Sequence, residues 1–138
     1  MSERFEELDL GFRPELAVPG PIVMAADEQA VFSFNVSEPA GWRAVIAIPA
    51  MYRLRFGGPA GEELDFSFVE VHESDWVKSV VSEYPFLSDR GLRHFKVAFH
   101  DSSLEFMAPR FDYELRPPSS MDLIEMIKWV NECHPSNT

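Results

Sequence analysis

The stretch HFKVAFHDSSLEFMA, from His94 to Ala108, gives the strongest indication of the fold. Apolar and polar residues alternate on both sides of a short polar segment, and a period of two is typical of half-buried β-strands. The polar segment contains aspartate and serine, whose short side chains hydrogen-bond the nearby backbone in turns. The pattern therefore predicts a β-hairpin whose tip lies at the polar segment.

Two registers of this hairpin keep its apolar residues on one face. The first has a two-residue turn at Asp101 and Ser102. It would pair Phe99 with Leu104. The second has a four-residue loop and would pair Phe99 with Phe106 instead. A slip by one residue would turn every side chain to the opposite face, so the apolar pattern excludes that slip and leaves the two registers open.

Outward from the hairpin, the same patterns predict the other elements of the chain. Apolar alternation predicts strands at 31–36, 42–48, 51–56, 64–72 and 110–115, and apolar residues at helical spacing predict helices at 75–84 and 119–134. In strand 64–72 the apolar parity shifts after Phe68, which indicates either a bulge or burial on both faces.

These elements predict an α+β fold in a single domain that spans residues 1–138, a length typical of one domain. We expect a mostly antiparallel sheet of about six strands, with two helices packed on one of its faces. Residues 1–30 would form an extended N-terminal arm, and residues 31–116 the sheet with one inserted helix. Residues 119–134 would form a C-terminal helix.

The composition limits the classes of partner. Twelve lysines and arginines against 23 aspartates and glutamates leave a net charge of −11. Such a charge repels phosphate backbones and anionic lipid, so neither nucleic acid nor membrane is an expected partner. The acids either keep a solvated surface soluble or complement a basic protein partner.

Three observations lead us to expect a cytoplasmic protein. The segment MSERFEELDL has acids where a signal peptide has basic and then apolar residues. Cys133 is the only cysteine, so an intrachain disulfide is impossible. The longest apolar run is far shorter than the roughly 20 residues of a membrane-spanning helix. We expect no cofactor.

The candidate catalytic residues are His100, Asp101, Ser102 and Glu105. A Ser-His-Asp triad needs serine and aspartate on different nitrogens of one imidazole. Neighbouring side chains of a strand point to opposite faces, which prevents this arrangement among consecutive residues. The chain also lacks a Gly-x-Ser-x-Gly elbow. We therefore predict a turn here, and a protein that is more readily explained as a non-enzyme.

A metal site would draw on His100, Glu105, Glu70 and His72. Glu70 and His72 share one strand face about 7 Å apart, and they can chelate an ion if a neighbouring strand supplies a third ligand. His94 and His100 also share a face, but about 20 Å separates them, so they cannot bind one ion together. Alternatively, the histidines are exposed or hydrogen-bond a glutamate across the strands.

The candidate binding residues are Glu70, His72, Trp76 and His94. His94 or His100 beside Glu70 and His72 would make a mixed site, if the strand order brings them together. Trp76 lies at the start of the helix predicted at 75–84, where it is most simply a core residue.

Two segments of the chain resemble a family. FVEVHESDWV (Phe68–Val77) and RHFKVAFHDSSLEFMA (Arg93–Ala108) are similar to segments of small uncharacterised bacterial proteins. In those proteins a Glu-Val-x-x-Ser-x-Trp segment precedes a His-Tyr/Phe strand and a Phe-His-Asp-Ser-x-x-Glu segment. The resemblance covers residues 42–108. It implies that the segments are arranged as in those proteins, but it implies no activity. The stretches GGPAGEE and SSLEFMA depart from the pattern. The matching residues are Glu70, Val71, Ser74, Trp76, His94, Phe95, Phe99, His100, Asp101, Ser102 and Glu105.

Three hypotheses for the function follow. The leading one is a non-catalytic module that binds a basic protein, as an immunity protein neutralises its partner. The second is an enzyme or a metal-dependent site built around the His-Asp-Ser-Ser hairpin. The third is a structural homo-oligomer, whose interface would include a sheet face with Trp42, Tyr52 or Met107.

Overall fold

The computed structural model describes residues 2–12, 22–26, 28–58, 68–99 and 102–117. Within these ranges the chain forms nine β-strands, one α-helix and one short 3₁₀ helix. The strands are β1 (Arg4–Glu7), β2 (Ile22–Ala26), β3 (Gln29–Asn35), β4 (Arg43–Ile48), β5 (Arg53–Gly57), β6 (Phe68–His72), β7 (Arg93–Ala98), β8 (Ser103–Ala108) and β9 (Asp112–Arg116). Helix α1 spans Asp75–Glu83, and the 3₁₀ helix follows it at Pro85–Asp89.

The strands form two antiparallel sheets that pack face to face. The five-stranded sheet has the order β1-β6-β7-β8-β5, and the four-stranded sheet has the order β2-β3-β4-β9. Both contribute buried aromatic and branched side chains to one shared core. Between ring centroids, Phe32 of β3 lies 6.0 Å from Phe106 of β8, and Phe34 lies 5.4 Å from Phe99. The apolar alternation of the strands thus serves to bury each sheet against the other.

Helix α1 covers the outer face of the five-stranded sheet. The Ser74 hydroxyl accepts a hydrogen bond from the Val77 backbone N–H at 3.1 Å and so caps the first turn. Val80 of the helix and Leu87 of the 3₁₀ helix pack with Met107, whose side chain is fully buried. Met107 therefore cannot form part of the exposed oligomer interface that the sequence suggested.

The α+β class is confirmed in outline, but the single six-stranded sheet with two helices on one face is wrong in detail. The strands divide between two sheets, and α1 is the only α-helix in the described part of the chain. Alternation shows that a strand has a buried face, but it does not show whether a helix or another sheet covers that face. The helix predicted at 119–134 lies outside the described residues.

The predicted arm, residues 1–30, contributes an edge strand to each sheet in its described part. β1 pairs with β6, and β2 pairs with β3. All four residues of β1, RFEE, are exposed, so no apolar alternation marked this strand in the sequence. Its place depends on backbone hydrogen bonds to β6, which almost any side chain permits.

The predicted hairpin is present, but its register differs from both alternatives. Leu104 lies opposite Val97 rather than Phe99. The Phe99 N–H donates to the Ser102 carbonyl at 2.9 Å, which leaves His100 and Asp101 between them, outside the described residues. The pairing differs by two residues from the first predicted register and by four from the second, and an even shift keeps every side chain on its original face. Alternation could therefore not distinguish this register from the predicted ones.

Strand β6 is buried on both faces, which explains the parity shift after Phe68. Phe68 belongs to the core between the sheets. Val69 and Val71 point to the opposite face and are also buried.

No helix in the described ranges combines the length and the apolar character that crossing a membrane requires.

Candidate functional site

A set of side chains joins α1 to the five-stranded sheet, and we call it the helix-side network (Arg55, Ser74, Trp76, His94 and Glu105). His94 of β7 lies at its centre. The His94 Nδ1 is 2.8 Å from the Ser74 Oγ, and the His94 Nε2 is 2.7 Å from the Glu105 Oε1. Only 6% of Ser74, 3% of His94 and 9% of Glu105 is exposed. These three side chains are therefore linked by a continuous series of hydrogen bonds that is almost completely shielded from solvent.

The local fold explains how these residues meet. Glu105 lies directly opposite Lys96 in the β7–β8 ladder, so His94 is its diagonal neighbour, a spacing that long side chains can bridge. After β6 the chain turns at Glu73, whose φ of 57° is left-handed. The turn brings Ser74 over the sheet as α1 begins. Residues 68–77 and 93–108 thus converge on one network.

Arg55 closes the network from the edge strand β5. It lies directly opposite Glu105 in the β5–β8 ladder. Its Nε donates to Glu105 Oε2 at 3.0 Å and its Nη2 donates to Oε1 at 3.2 Å, a bidentate ion pair. The guanidinium also stacks 4.0 Å above the Trp76 ring, and the Trp76 ring in turn meets the His94 ring edge-on at 5.0 Å. Trp76 thus shields the ion pair on the side of the helix.

The Glu105 carboxylate stays ionised despite its burial. Burial by itself raises the pKa of a carboxyl group, because it disfavours the charged form. At Glu105 the hydrogen bonds from His94 and Arg55 outweigh burial and lower the pKa to about 2. An ionised Glu105 accepts from the His94 Nε2–H, and in the neutral imidazole the Ser74 hydroxyl then donates to Nδ1.

This connectivity resembles a Ser-His-Glu triad, but serine and glutamate face the opposite imidazole nitrogens from those in a triad. In the triad, serine faces Nε2 and the carboxylate holds Nδ1; in this protein Ser74 faces Nδ1 and Glu105 faces Nε2. The Ser74 hydroxyl also accepts from the Val77 N–H, which ties it to the helix start. All three residues are buried. The network therefore serves to hold α1 on the sheet.

We expect Ser74→Ala to lower the free energy of unfolding by about 2 kcal/mol, because it removes both the helix cap and the hydrogen bond to His94. Urea unfolding followed by circular dichroism measures this loss. The matched control is Ser79→Ala in the exposed middle of α1, where alanine is the better helix former and stability should hold or rise slightly. Equal changes in the free energy of unfolding for the two variants would show that Ser74 does not stabilise the packing of α1 on the sheet.

The structure brings together only some of the predicted site residues. Trp76, His94 and Glu105 meet in the helix-side network, where Glu105 binds both His94 and Arg55. His100 and Asp101 lie outside the described residues. The Ser102 backbone carbonyl accepts the hydrogen bond from the Phe99 N–H at the tip of the hairpin. No local pattern indicated that Arg55 would join this network, since its partner is 50 residues away.

A second cluster lies on the other face of the five-stranded sheet, and we call it the edge cluster (Glu6, Glu70, His72 and Arg93). Arg93 binds Glu70 through two hydrogen bonds, Nε to Oε2 at 2.9 Å and Nη2 to Oε1 at 2.7 Å. The His72 Nε2 lies 2.7 Å from the Glu6 Oε1. The hydrogen bond from Arg93 lowers the pKa of Glu70 even though burial acts in the opposite direction.

The edge cluster shows which residues lie beside Glu70 and His72. Glu70 and His72 share a face, and a neighbouring strand does supply a third potential ligand, Glu6 of β1. His94 cannot join them, because it lies opposite Val71 and therefore on the reverse face. Glu6 was missed because residues 1–30 were predicted to be an arm rather than a strand.

A cleft of about 410 Å³ lies between the chain that follows β1 and the turn between β3 and β4. We call it the acidic cleft. Three of the described lining residues are acids, three are large apolar residues, and none is basic. The described lining consists of Glu7, Leu8, Asp9, Gly11, Phe12, Ser37, Glu38 and Phe68. It thus combines an apolar wall with negative charge.

No protein-family model, curated protein or solved structure matches this chain. Its function must therefore be inferred from its own geometry and charge.

Proposed function

We propose that this protein is a non-catalytic binding module whose acidic cleft receives a basic segment of a partner protein. The observation that carries the proposal is the cleft itself, with Glu7, Asp9 and Glu38 around its apolar wall. The net charge of −11 favours the same class of partner, because long-range attraction speeds the approach of a basic protein. An immunity-like role, in which binding neutralises the partner, is the most concrete form of this function.

The cleft has a well-supported wall. The Leu8 N–H donates to the Phe68 carbonyl at 2.9 Å, which continues the β1–β6 pairing beyond β1. The Gly11 N–H donates to Asp9 Oδ1 at 3.1 Å, and Gly11 has a left-handed φ of 85°, so the chain turns sharply here. After the turn, Phe12 packs against Phe34 at 6.0 Å between ring centroids. These contacts stabilise the wall before any partner binds.

A lysine or arginine side chain fits the chemistry of this cleft. Its aliphatic stem can lie along Leu8, Phe12 and Phe68, while its charged end reaches the surrounding carboxylates. Nucleic acid and anionic lipid carry the same sign of charge as the cleft and would be repelled.

The test compares two triple variants that remove the same formal charge. The cleft variant is Glu7→Gln, Asp9→Asn and Glu38→Gln; the amide oxygen that Asp9→Asn introduces can still accept from the Gly11 N–H. The control variant is Glu28→Gln, Glu83→Gln and Asp89→Asn, at exposed positions away from the cleft. We expect the partner captured from the source organism at low salt to bind the cleft variant about tenfold more weakly, or about 1.4 kcal/mol. The control variant should bind like the wild type.

Two outcomes would contradict the proposal. One is an equal loss in both variants, which would indicate a general charge effect rather than a site. The other is a stoichiometric dimer of this chain, in sedimentation at two concentrations, that the cleft variant abolishes. The occupant of the cleft would then be a second copy rather than a basic partner.

A further inference from the structure

The edge cluster contains an arrangement that the protein-binding function does not explain. Glu6 and Glu70 lie directly opposite each other on β1 and β6. Like charges at directly opposed positions of an antiparallel pair destabilise the sheet. Arg93 neutralises one of these carboxylates, and Glu6 is left with His72 as its hydrogen-bonding partner. Two acids placed face to face beside an imidazole are a donor set that attracts a cation.

The distances within the cluster suit a small divalent ion. One ligand atom from each of Glu6, Glu70 and His72 lies within 4.8 Å of the other two. In a tetrahedral site, bonds of about 2.0–2.2 Å to zinc place two ligand atoms about 3.3–3.6 Å apart. The most widely separated ligand atoms must therefore approach each other by up to about 1.5 Å. The side chain of Glu6 is 59% exposed and can make this movement.

We propose that Glu6, Glu70 and His72 form a binding site for one divalent transition-metal ion of the zinc type. One imidazole nitrogen and two carboxylate oxygens are donors that zinc accepts, whereas magnesium and calcium favour oxygen alone. Three protein ligands leave a fourth position of a tetrahedral ion open. Glu70 and His72 also line a crevice of about 300 Å³, together with Lys78 and Arg93. A water molecule or a small anion can occupy the open position from this crevice.

Arg93 has a defined role in this site. It holds both oxygens of Glu70 and so fixes the orientation of the one ligand that is buried. Its own side chain is 46% exposed and can turn towards solvent when an ion neutralises the carboxylates. The guanidinium thus balances the charge of Glu70 while no ion is bound.

Zinc titration of the full chain, purified without a histidine tag and freed of metal, tests the site. Calorimetry should show one zinc ion bound by the wild type. Glu6→Gln and His72→Gln are each expected to weaken this binding at least about tenfold, since each removes one of three ligands. The matched control is Glu83→Gln, which removes the same charge at the exposed C-terminal end of α1, outside the edge cluster and the acidic cleft. Its affinity should equal that of the wild type.

A second measurement keeps the test independent of folding. Zinc should raise the melting temperature of the wild type and of Glu83→Gln, but not that of His72→Gln, because only an ion bound to the native state stabilises it. Glu6 and Glu83 are exposed and His72 is half-buried, so melting without zinc should be similar among the variants. Zinc binding that is equal in all variants would place the ion elsewhere in the chain, and absence of binding would equally overturn the proposal.

Discussion

Replacing Phe106 with alanine is expected to lower the free energy of unfolding by about 3–5 kcal/mol, the usual cost of removing a fully buried phenylalanine. Phe106 of β8 is completely buried between the two sheets. Its ring centroid lies 5.0 to 6.4 Å from those of Phe32, Phe68, Phe95 and Phe111. Removing it therefore empties the centre of an aromatic cluster that draws on both sheets.

Urea unfolding at neutral pH measures this loss. The matched control is Phe56→Ala on β5, where the same side chain is 58% exposed, and a loss below about 1 kcal/mol is expected there. The dependence of the free energy on urea should stay the same in both variants, since the surface exposed on unfolding hardly changes. A loss at Phe106 as small as that at Phe56 would contradict the face-to-face packing of the sheets.

Replacing Glu105 with glutamine is expected to cost about 3 kcal/mol at neutral pH, because His94 and Arg55 lose their charged acceptor. The pH dependence gives a sharper result. The pKa of Glu105 falls from 4.5 to about 2 in the folded protein. A carboxyl whose pKa is lowered by folding stabilises the protein above its unfolded pKa, and this contribution disappears as the pH falls through the folded value. A difference of this size corresponds to about 3 kcal/mol.

The wild type should therefore lose stability between about pH 4.5 and pH 2, and Glu105→Gln should lack this part of the loss. Urea unfolding of both proteins at several pH values across this window measures the difference. The control is Glu73→Gln, which breaks the exposed pair with Lys78 and should cost at most about 1 kcal/mol. Parallel pH profiles for the wild type and Glu105→Gln would show that Glu105 is not ionised inside a buried network.

The candidate sites were predictable only in part. Glu70 and His72 are two residues apart on one strand, so the period of two placed them on one face. Their third companion, Glu6, lies 64 positions before Glu70, on a strand without apolar alternation, and only strand order brings it near. A mixed site with His94 or His100 beside Glu70 and His72 depended on the strand order, and the β6–β7 register turns His94 to the reverse face.

Local patterns in the chain were sufficient to predict α1 and most of the strands, but not β1 and β2. Apolar alternation specified the strands of the hairpin, and Ser74 with the apolar stripe that follows specified α1, because both signals come from residues close together in the chain. The hairpin register, the division into two sheets and the meeting of Ser74, His94 and Glu105 depend instead on long-range packing. The physical reason is that a shift of two residues, or a change in what covers an apolar face, leaves the alternation unchanged. Only the packing of Phe106 and its neighbours between the sheets distinguishes these possibilities.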